Sequence, residues 1–529
     1  MKSHSDIAGA SGETVDPRKK WQAAIRAFCH PRVITMLFFG FSAGLPILLI
    51  FSSLSLWLRE AGIHRSAVTF FSWAALGYSF KFVWAPLVDQ MPVPWLTRRL
   101  GRRRSWILTA QTGIVGAILW MAFTDPAAGQ HPLFFMAMAA VLLGFSSATQ
   151  DIAIDAYRIE SASVDLQAMM ASAYIGGYRI GMLVAGAGAL ILAEWFGSAM
   201  GGYRFQAWQA TYCIMAGLML VGMITALVID EPASDYNPAD AYSSRDYLIG
   251  LALFGLAAAA FILVFYFSGQ VLSAARDQMG RWLDNGPLAG LLVECIRLGA
   301  GICAAVMVGR LGLFLRLVNK KMVTDSYVAP VLDFFSRYRL LLAWLILALI
   351  GLYRISDIVL GVISNVFYQD LGFTKTEIAG VVKTFGLFMT IAGGFAGGML
   401  SIRYGVIHIL FLGAVLASAT NLLFMVLAFA GHNLVLLYLV IAADNLAAGL
   451  ASAAFVAFLS SLTSIRFTAV QYAVFSSLMT LVPKVFGGYS GTMVDALGYP
   501  MFFLLTTLMG VPVLVLVWYC SRHLDRAGG

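Results

Sequence analysis

The residues best able to do chemistry in this chain are charged groups set inside long apolar runs. The segment 146–158 carries Asp151, Asp155 and Arg158 at i, i+4 and i+7, a spacing that puts all three on one helix face. Gln150 adjoins Asp151, and Arg179 falls mid-run in Gly177-Tyr178-Arg179-Ile180-Gly181. Tyr353-Arg354-Ile355-Ser356-Asp357 and Asp444-Asn445 interrupt two later runs, and Lys81, Lys383 and Lys484 interrupt three others. An ionisable group in hydrocarbon is costly, so each is a candidate for function. The deep carboxylates Asp151, Asp357 and Asp444 are candidates to load and release a proton. Lys81, Arg179, Arg354, Lys383 and Lys484, with Gln150, Tyr178, Tyr353 and Asn445, are candidate substrate contacts. Cations facing one cavity favour a ligand that bears carboxylates, and aromatic rings can stack on sugars. Structural roles stand beside these. Asp155 and Arg158 fall near a membrane end and are expected to brace the loop that holds Asp89 and Arg102. Arg354 and Asp357, at i and i+3, can pair with each other when no ligand is bound.

The elements that must position these groups are membrane-spanning helices. Of 529 residues, 60% are hydrophobic and 12% charged, against about 25% charged in soluble domains. Lipid must therefore cover part of the surface. Apolar runs long enough to span the hydrocarbon as helices fall at 33–58, 66–88, 106–124, 133–159, 168–196 and 208–229. Two follow at about 247–268 and 289–315, and six more at 340–368, 376–402, 405–430, 434–462, 468–493 and 499–521. The expected fold class is an all-α integral membrane protein with two six-helix bundles, 33–229 and 340–522. A 230–339 linker carries two extra spans, and polar tails occupy 1–32 and 523–529. The stretch 269–288 has no assigned role.

The net charge of +8 is not spread as nucleic-acid binding would require. Lys and Arg gather in loops on the N-terminal side, which the positive-inside rule assigns to the cytoplasm together with both termini. No cleavable signal peptide is expected. The five cysteines form no CxxC pair and the histidines no HExxH, so neither a disulfide framework nor a metal site is expected.

An internal duplication has one trace. Asp89 precedes the basic loop Arg98-Arg99-Leu100-Gly101-Arg102-Arg103-Arg104, and the matching loop of the second half reads Gly398-Met399-Leu400-Ser401-Ile402-Arg403-Tyr404-Gly405. Both resemble the Gly/Arg loop of the major facilitator superfamily, which makes Asp89, Gly101, Arg102, Arg103 and Arg403, with Asp155 and Arg158, a candidate conformational motif. Gly177 and Gly181, and the cluster Gly393, Gly394, Gly397 and Gly398, mark close helix packing.

Further segments carry a narrower resemblance. Gly40-Phe41-Ser42-Ala43-Gly44-Leu45-Pro46, Phe80-Lys81-Phe82-Val83-Trp84-Ala85-Pro86-Leu87-Val88-Asp89, Ala148-Thr149-Gln150-Asp151-Ile152, Tyr353-Arg354-Ile355-Ser356-Asp357, Asp444-Asn445 and Gln471-Tyr472 are similar to the AmpG muropeptide permeases. The resemblance implies an inner-membrane transporter of Gram-negative bacteria. Such a protein imports anhydromuropeptides (GlcNAc joined to 1,6-anhydro-MurNAc, with or without peptide) for peptidoglycan recycling. It is driven by protons, needs no other cofactor and feeds the signal that induces β-lactamase. A monomer is expected. Arg354 stands where the family often has Lys, and Asp444 where it often has Glu. The competing readings are a related symporter of peptides or acyl-CoA-like anions, and a membrane enzyme acting on lipid-linked sugars.

Overall fold

The computed structural model describes residues 28–63, 80–198, 202–232, 242–283, 286–374, 377–487 and 490–527. Among these, thirteen helices are long and apolar enough to cross a membrane. The fourteenth expected span, 66–88, lies largely outside the described residues. Its described end is a tight turn at Lys81–Val83 and a short helix, α2 (Ala85–Gln90).

The first half begins with α1 (Pro31–Leu48), which runs through a π-turn at Leu49–Ser53 into Leu54–Glu60. Pro46 lies inside α1, and its missing N–H loosens the ladder just before the π-turn. α3 (Arg102–Ala122), α4 (Gln130–Ser161), α5 (Val164–Leu183) and α6 (Phe205–Leu218, continued by Leu220–Val228) complete the bundle. α7 (Ser244–Val271) and α9 (Gly286–Phe314) form the extra hairpin. The unassigned stretch between them is helical, α8 (Ser273–Leu283). The basic linker is also helical, through Lys320–Val323, a π-turn at Thr324–Val328 and α10 (Ala329–Arg337).

The second half is α11 (Leu340–Leu352), α12 (Ile355–Asp370), α13 (Gly386–Tyr404), α14 (Val406–Ala430), α15 (Leu434–Ser461), α16 (Thr468–Gly487) and α17 (Ser490–Ala527). α17 stays helical through most of the expected 523–529 tail, as far as Ala527. Residues near both chain ends lie at one face of the bundle, the terminal face. There Phe28 packs on Phe395, and Cys520 shares an apolar cluster with Phe458 and Leu410.

Small residues set the tightest contacts. A Cβ on Gly177 would lie 1.9 Å from the Leu37 carbonyl oxygen, and one on Gly40 would lie 2.1 Å from that of Tyr174. α1 and α5 thus meet backbone to backbone, as helices in lipid do when dispersion and packing replace the hydrophobic effect. α13 and α15 repeat the arrangement, with Gly393 against the Leu446 oxygen and Gly449 against that of Thr390, each at 2.2 Å from the added Cβ. The halves meet along α5 and α13, where the Ser172 hydroxyl donates to the Gly394 carbonyl at 2.6 Å.

Candidate functional site

At the terminal face, the basic loop after α2 builds a buried ion network. Arg103 donates to Asp89 Oδ1 at 2.7 Å and to Glu160 Oε2 at 2.9 Å. Arg102 donates to the Asp89 carbonyl at 3.0 Å and lies 3.3 Å from Glu160. The two Asp89 oxygens accept the Ala469 and Val470 amides, at 3.2 and 3.0 Å. Those amides open α16, so a carboxylate of the first half sits on the positive end of a helix of the second. Glu231, beyond α6, caps α3 by accepting the Arg103 and Arg104 amides at 2.7 and 3.1 Å. A Cβ on Gly101 would lie 2.4 Å from the Glu231 side chain, and its φ of +87° favours glycine on its own account. Gly405 repeats that conformation, φ +86°, before α14, while Arg403 lies over the Tyr404 ring at 5.1 Å.

Asp155 and Arg158 do not brace this loop as expected; Glu160 does. The two acids share one end of α4, and helical rotation aims Glu160 at the arginines and Asp155 inwards. Asp155 instead lies 3.8 Å from Lys81 and 3.4 Å from Arg158. Arg158 reaches across the halves, donating to the Ser460 hydroxyl at 2.8 Å and lying over the Tyr472 ring at 5.1 Å. It also donates to Gln167 Oε1, at 3.0 Å. One turn deeper, Asp151 accepts from the Tyr174 hydroxyl at 3.2 Å. Gln150 is fully buried, with neither amide atom hydrogen-bonded among the described residues.

The first span of the second half, Leu340–Asp370, is broken at Tyr353-Arg354, between α11 and α12. Tyr353 fixes the break by donating to the Leu410 carbonyl at 2.9 Å and stacking on Phe455 at 4.2 Å. Arg354 takes the position before α12, and Asp357 lies in its first turn. The expected Arg354–Asp357 pair is not closed. The two interact electrostatically, but no ion pair within 4.0 Å joins them among the described residues, because the helix break turns Arg354 off the i, i+3 register. Arg354 also interacts with Arg179 of the first half. Asp444 accepts from the Thr420 hydroxyl at 3.3 Å and interacts with Asp357. Asn445 accepts from Thr390 at 2.8 Å. The Tyr178 ring lies 6.2 Å from Tyr174. Lys383 is exposed and stands apart from these networks, and the Lys484 side chain lies outside the described residues.

Sequence reasoning missed Glu160, Glu231, Gln167, Ser460 and Thr420. Only the two glutamates carried a usable signal, as acidic residues at membrane ends close to a run of arginines.

The arrangement supplies two charge networks that hold the halves together at one face, with carboxylates and arginines from both halves beyond them. Similarity to known proteins fits that architecture. Residues 33–229 match a family model described as acetyl-coenzyme A transporter 1. Over 95% of its length the chain is 29% identical to the anhydromuropeptide permease of Escherichia coli K12, covering 82% of that protein. It is 28% identical to a Rickettsia conorii protein that bears the name AmpG 4, with 94% of this chain and 99% of the relative aligned. Among solved structures, the E. coli fucose:proton symporter FucP superposes with a TM-score of 0.55 at 13% identity, covering 94% of this chain and 99% of that one. The proton:xylose symporter XylE, of the major facilitator superfamily, gives 0.54 at 12% identity, covering 94% and 96%.

Proposed function

As an AmpG-like secondary transporter of the major facilitator superfamily, and not an enzyme, this chain, we propose, imports anhydromuropeptides across a bacterial inner membrane by proton-coupled alternating access. The observation that carries this reading is the full-length likeness to the E. coli anhydromuropeptide permease. The chemistry of the interior supports it. Such a ligand offers sugar rings and several carboxylates, and the interior offers Arg179, Arg354 and Lys81 beside Tyr178 and Tyr353.

In this reading the terminal face is cytoplasmic. Release to that side requires Asp89 to leave the two α16 amides and Arg158 to leave Ser460, three bonds that cross between the halves. Asp155 lies between Lys81 and Arg158, so a charge change nearby alters what holds the face shut. Asp151, Asp357 and Asp444 are the proposed proton carriers.

The test is uptake of a labelled GlcNAc–anhydro-MurNAc peptide into proteoliposomes, with and without an inward proton gradient. Gradient-dependent accumulation is expected, as is a loss of at least roughly tenfold in Asp151→Asn and Asp357→Asn with folding retained. Normal proton-driven uptake by both variants removes those two assignments. Absence of uptake by folded, inserted protein removes the substrate. A second reading has one observation in its favour, the match of the first half to the acetyl-coenzyme A transporter model. Acetyl-coenzyme A as a competitor in the same assay separates the two.

A further inference from the structure

The linker between the halves touches both of them. On one side, the Tyr327 hydroxyl donates to the Val83 carbonyl at 3.2 Å, and the π-turn Thr324–Val328 packs on α2. On the other, Arg337 donates to the Leu462 carbonyl at 2.9 Å, where α15 ends, and to Gln471 Oε1 at 3.0 Å on α16. Gln471 returns its amide to the Pro330 carbonyl and to Asp333, both at 2.8 Å. The same Gln471 oxygen accepts the Ser464 amide at 2.8 Å. Phe334 of α10 is buried edge-on against Phe475 of α16, with ring centroids 5.3 Å apart.

The start of the linker is held by the extra hairpin. Tyr242, just before α7, donates to Asp325 at 2.6 Å. A Cβ on Gly250 of α7 would lie 2.6 Å from the end of Met322. The hairpin in turn packs on the first half, through Phe80 against Phe261 at 6.2 Å and through Phe254 against the cluster that includes Trp84 and Val88.

We infer that residues 320–337 are a strap that holds the terminal face closed, with Gln471 as its buckle on the second half and the extra hairpin as its anchor on the first. The α15–α16 turn is where Asp89 also docks. When the face opens, α16 moves away from α2, and a linker bonded to both must let go of one. The Gln471 side chain makes three of the four hydrogen bonds that join the linker to the second half, so that end leans most on one residue. This also gives the two extra spans a role: they fix one end of the strap to the bundle that does not carry Gln471.

The experiment needs no substrate, so its failure is separate from failure of the proposed function. Spin labels are placed at Arg98→Cys and Arg466→Cys, exposed positions on opposite halves of the terminal face, in a chain whose native cysteines are replaced by serine. Their separation is measured by pulsed electron resonance in lipid nanodiscs. Gln471→Ala and Arg337→Ala are expected to raise the ratio of long to short separations by at least roughly fivefold. Tyr327→Phe is expected to shift it the same way by less, and Arg337→Lys to stay near the parent. Unchanged distance distributions in Gln471→Ala and Arg337→Ala, in protein that elutes as one folded species, would overturn the strap. Should either fail to fold, the single-hydroxyl variant Tyr327→Phe decides, and no shift there overturns it too. Tyr242→Phe tests the anchor: a shift supports the hairpin's part, and no shift alongside a shifted Gln471→Ala removes it.

Discussion

Glu231 shows how a single residue far along the chain completes an earlier helix. It supplies the side-chain acceptor that Gly101 lacks, at the start of α3. Replacing it with alanine removes that cap and is expected to cost about 1 kcal/mol, read as a lower thermal midpoint in detergent. Burial outweighs the amide bonds and pushes its carboxyl above its ordinary value. A raised folded pKa stabilises below the unfolded value, and that stability is lost as pH rises through the folded pKa. Glu231→Gln, neutral throughout, is therefore expected to equal or exceed the parent at neutral pH, with the difference closing on acidification. A Gln variant as unstable as the alanine variant would show that the charge itself holds the cap. The sequence shows Glu231 as an acidic residue at a membrane end, but not its partners, which are supplied by folding. The intramembrane charges were legible because hydrocarbon makes any charge conspicuous. Which acid meets which arginine depended on rotation about α4, which spacing leaves open to within a turn.

At the scale of elements, the glycine contacts decide which helices behave as one piece. Gly177→Ala places a methyl 1.9 Å from the Leu37 carbonyl oxygen, so α1 and α5 must separate along their length. A loss of about 1–3 kcal/mol or more is expected, seen as a lower yield of monodisperse protein. Gly116, where an added Cβ meets nothing within 4 Å, is the control, and Gly116→Ala is expected to be neutral or slightly stabilising. The glycines at 177 and 181 stood out in the sequence; their partners on α1, Gly40 and Gly44, were quoted there only as part of a family segment. The span ends were mostly readable to within a few residues from hydropathy. The linker was not, because its helices are short and amphipathic and gain their order from Gln471 and Phe475.

At the scale of the whole molecule, apolar run lengths were enough for thirteen of the expected spans, those among the described residues, and the repeated loop pointed to the fold that the solved neighbours share. The state of the molecule was not legible, since closure depends on pairs such as Arg158–Ser460, which are 302 residues apart. Asp89→Asn keeps hydrogen-bond acceptance but weakens the carboxylate's hold on α16 and on Arg103. It is expected to favour opening of the terminal face by roughly tenfold, as one charge-assisted bond of about 1.5 kcal/mol implies. Faster labelling of a cysteine placed at Thr463, buried in the α15–α16 turn with its hydroxyl bonded, among the described residues, only to the Leu459 carbonyl, by a membrane-impermeant thiol reagent measures this. Labelling no faster than in the parent would mean that Arg158 and its partners alone keep the face shut.

The interruption at Tyr353-Arg354 makes the first crossing of the second half two rods on a joint rather than one beam. The rod nearer the terminal face is pinned at the joint, through Tyr353, to Leu410 and Phe455. The outer rod, α12, ends at Asp370 on the far side, and its first turn is held through Ser356, which donates to the Thr506 carbonyl at 3.0 Å and accepts from Asn421 at 2.6 Å. Short segments that absorb backbone rotation are what let a domain move in part rather than whole. In the proton-driven cycle proposed above, such a joint lets the far mouth close over a bound cargo before the near one releases it. Sealed at both ends for that interval, the path keeps the gradient from leaking away while the cargo changes sides.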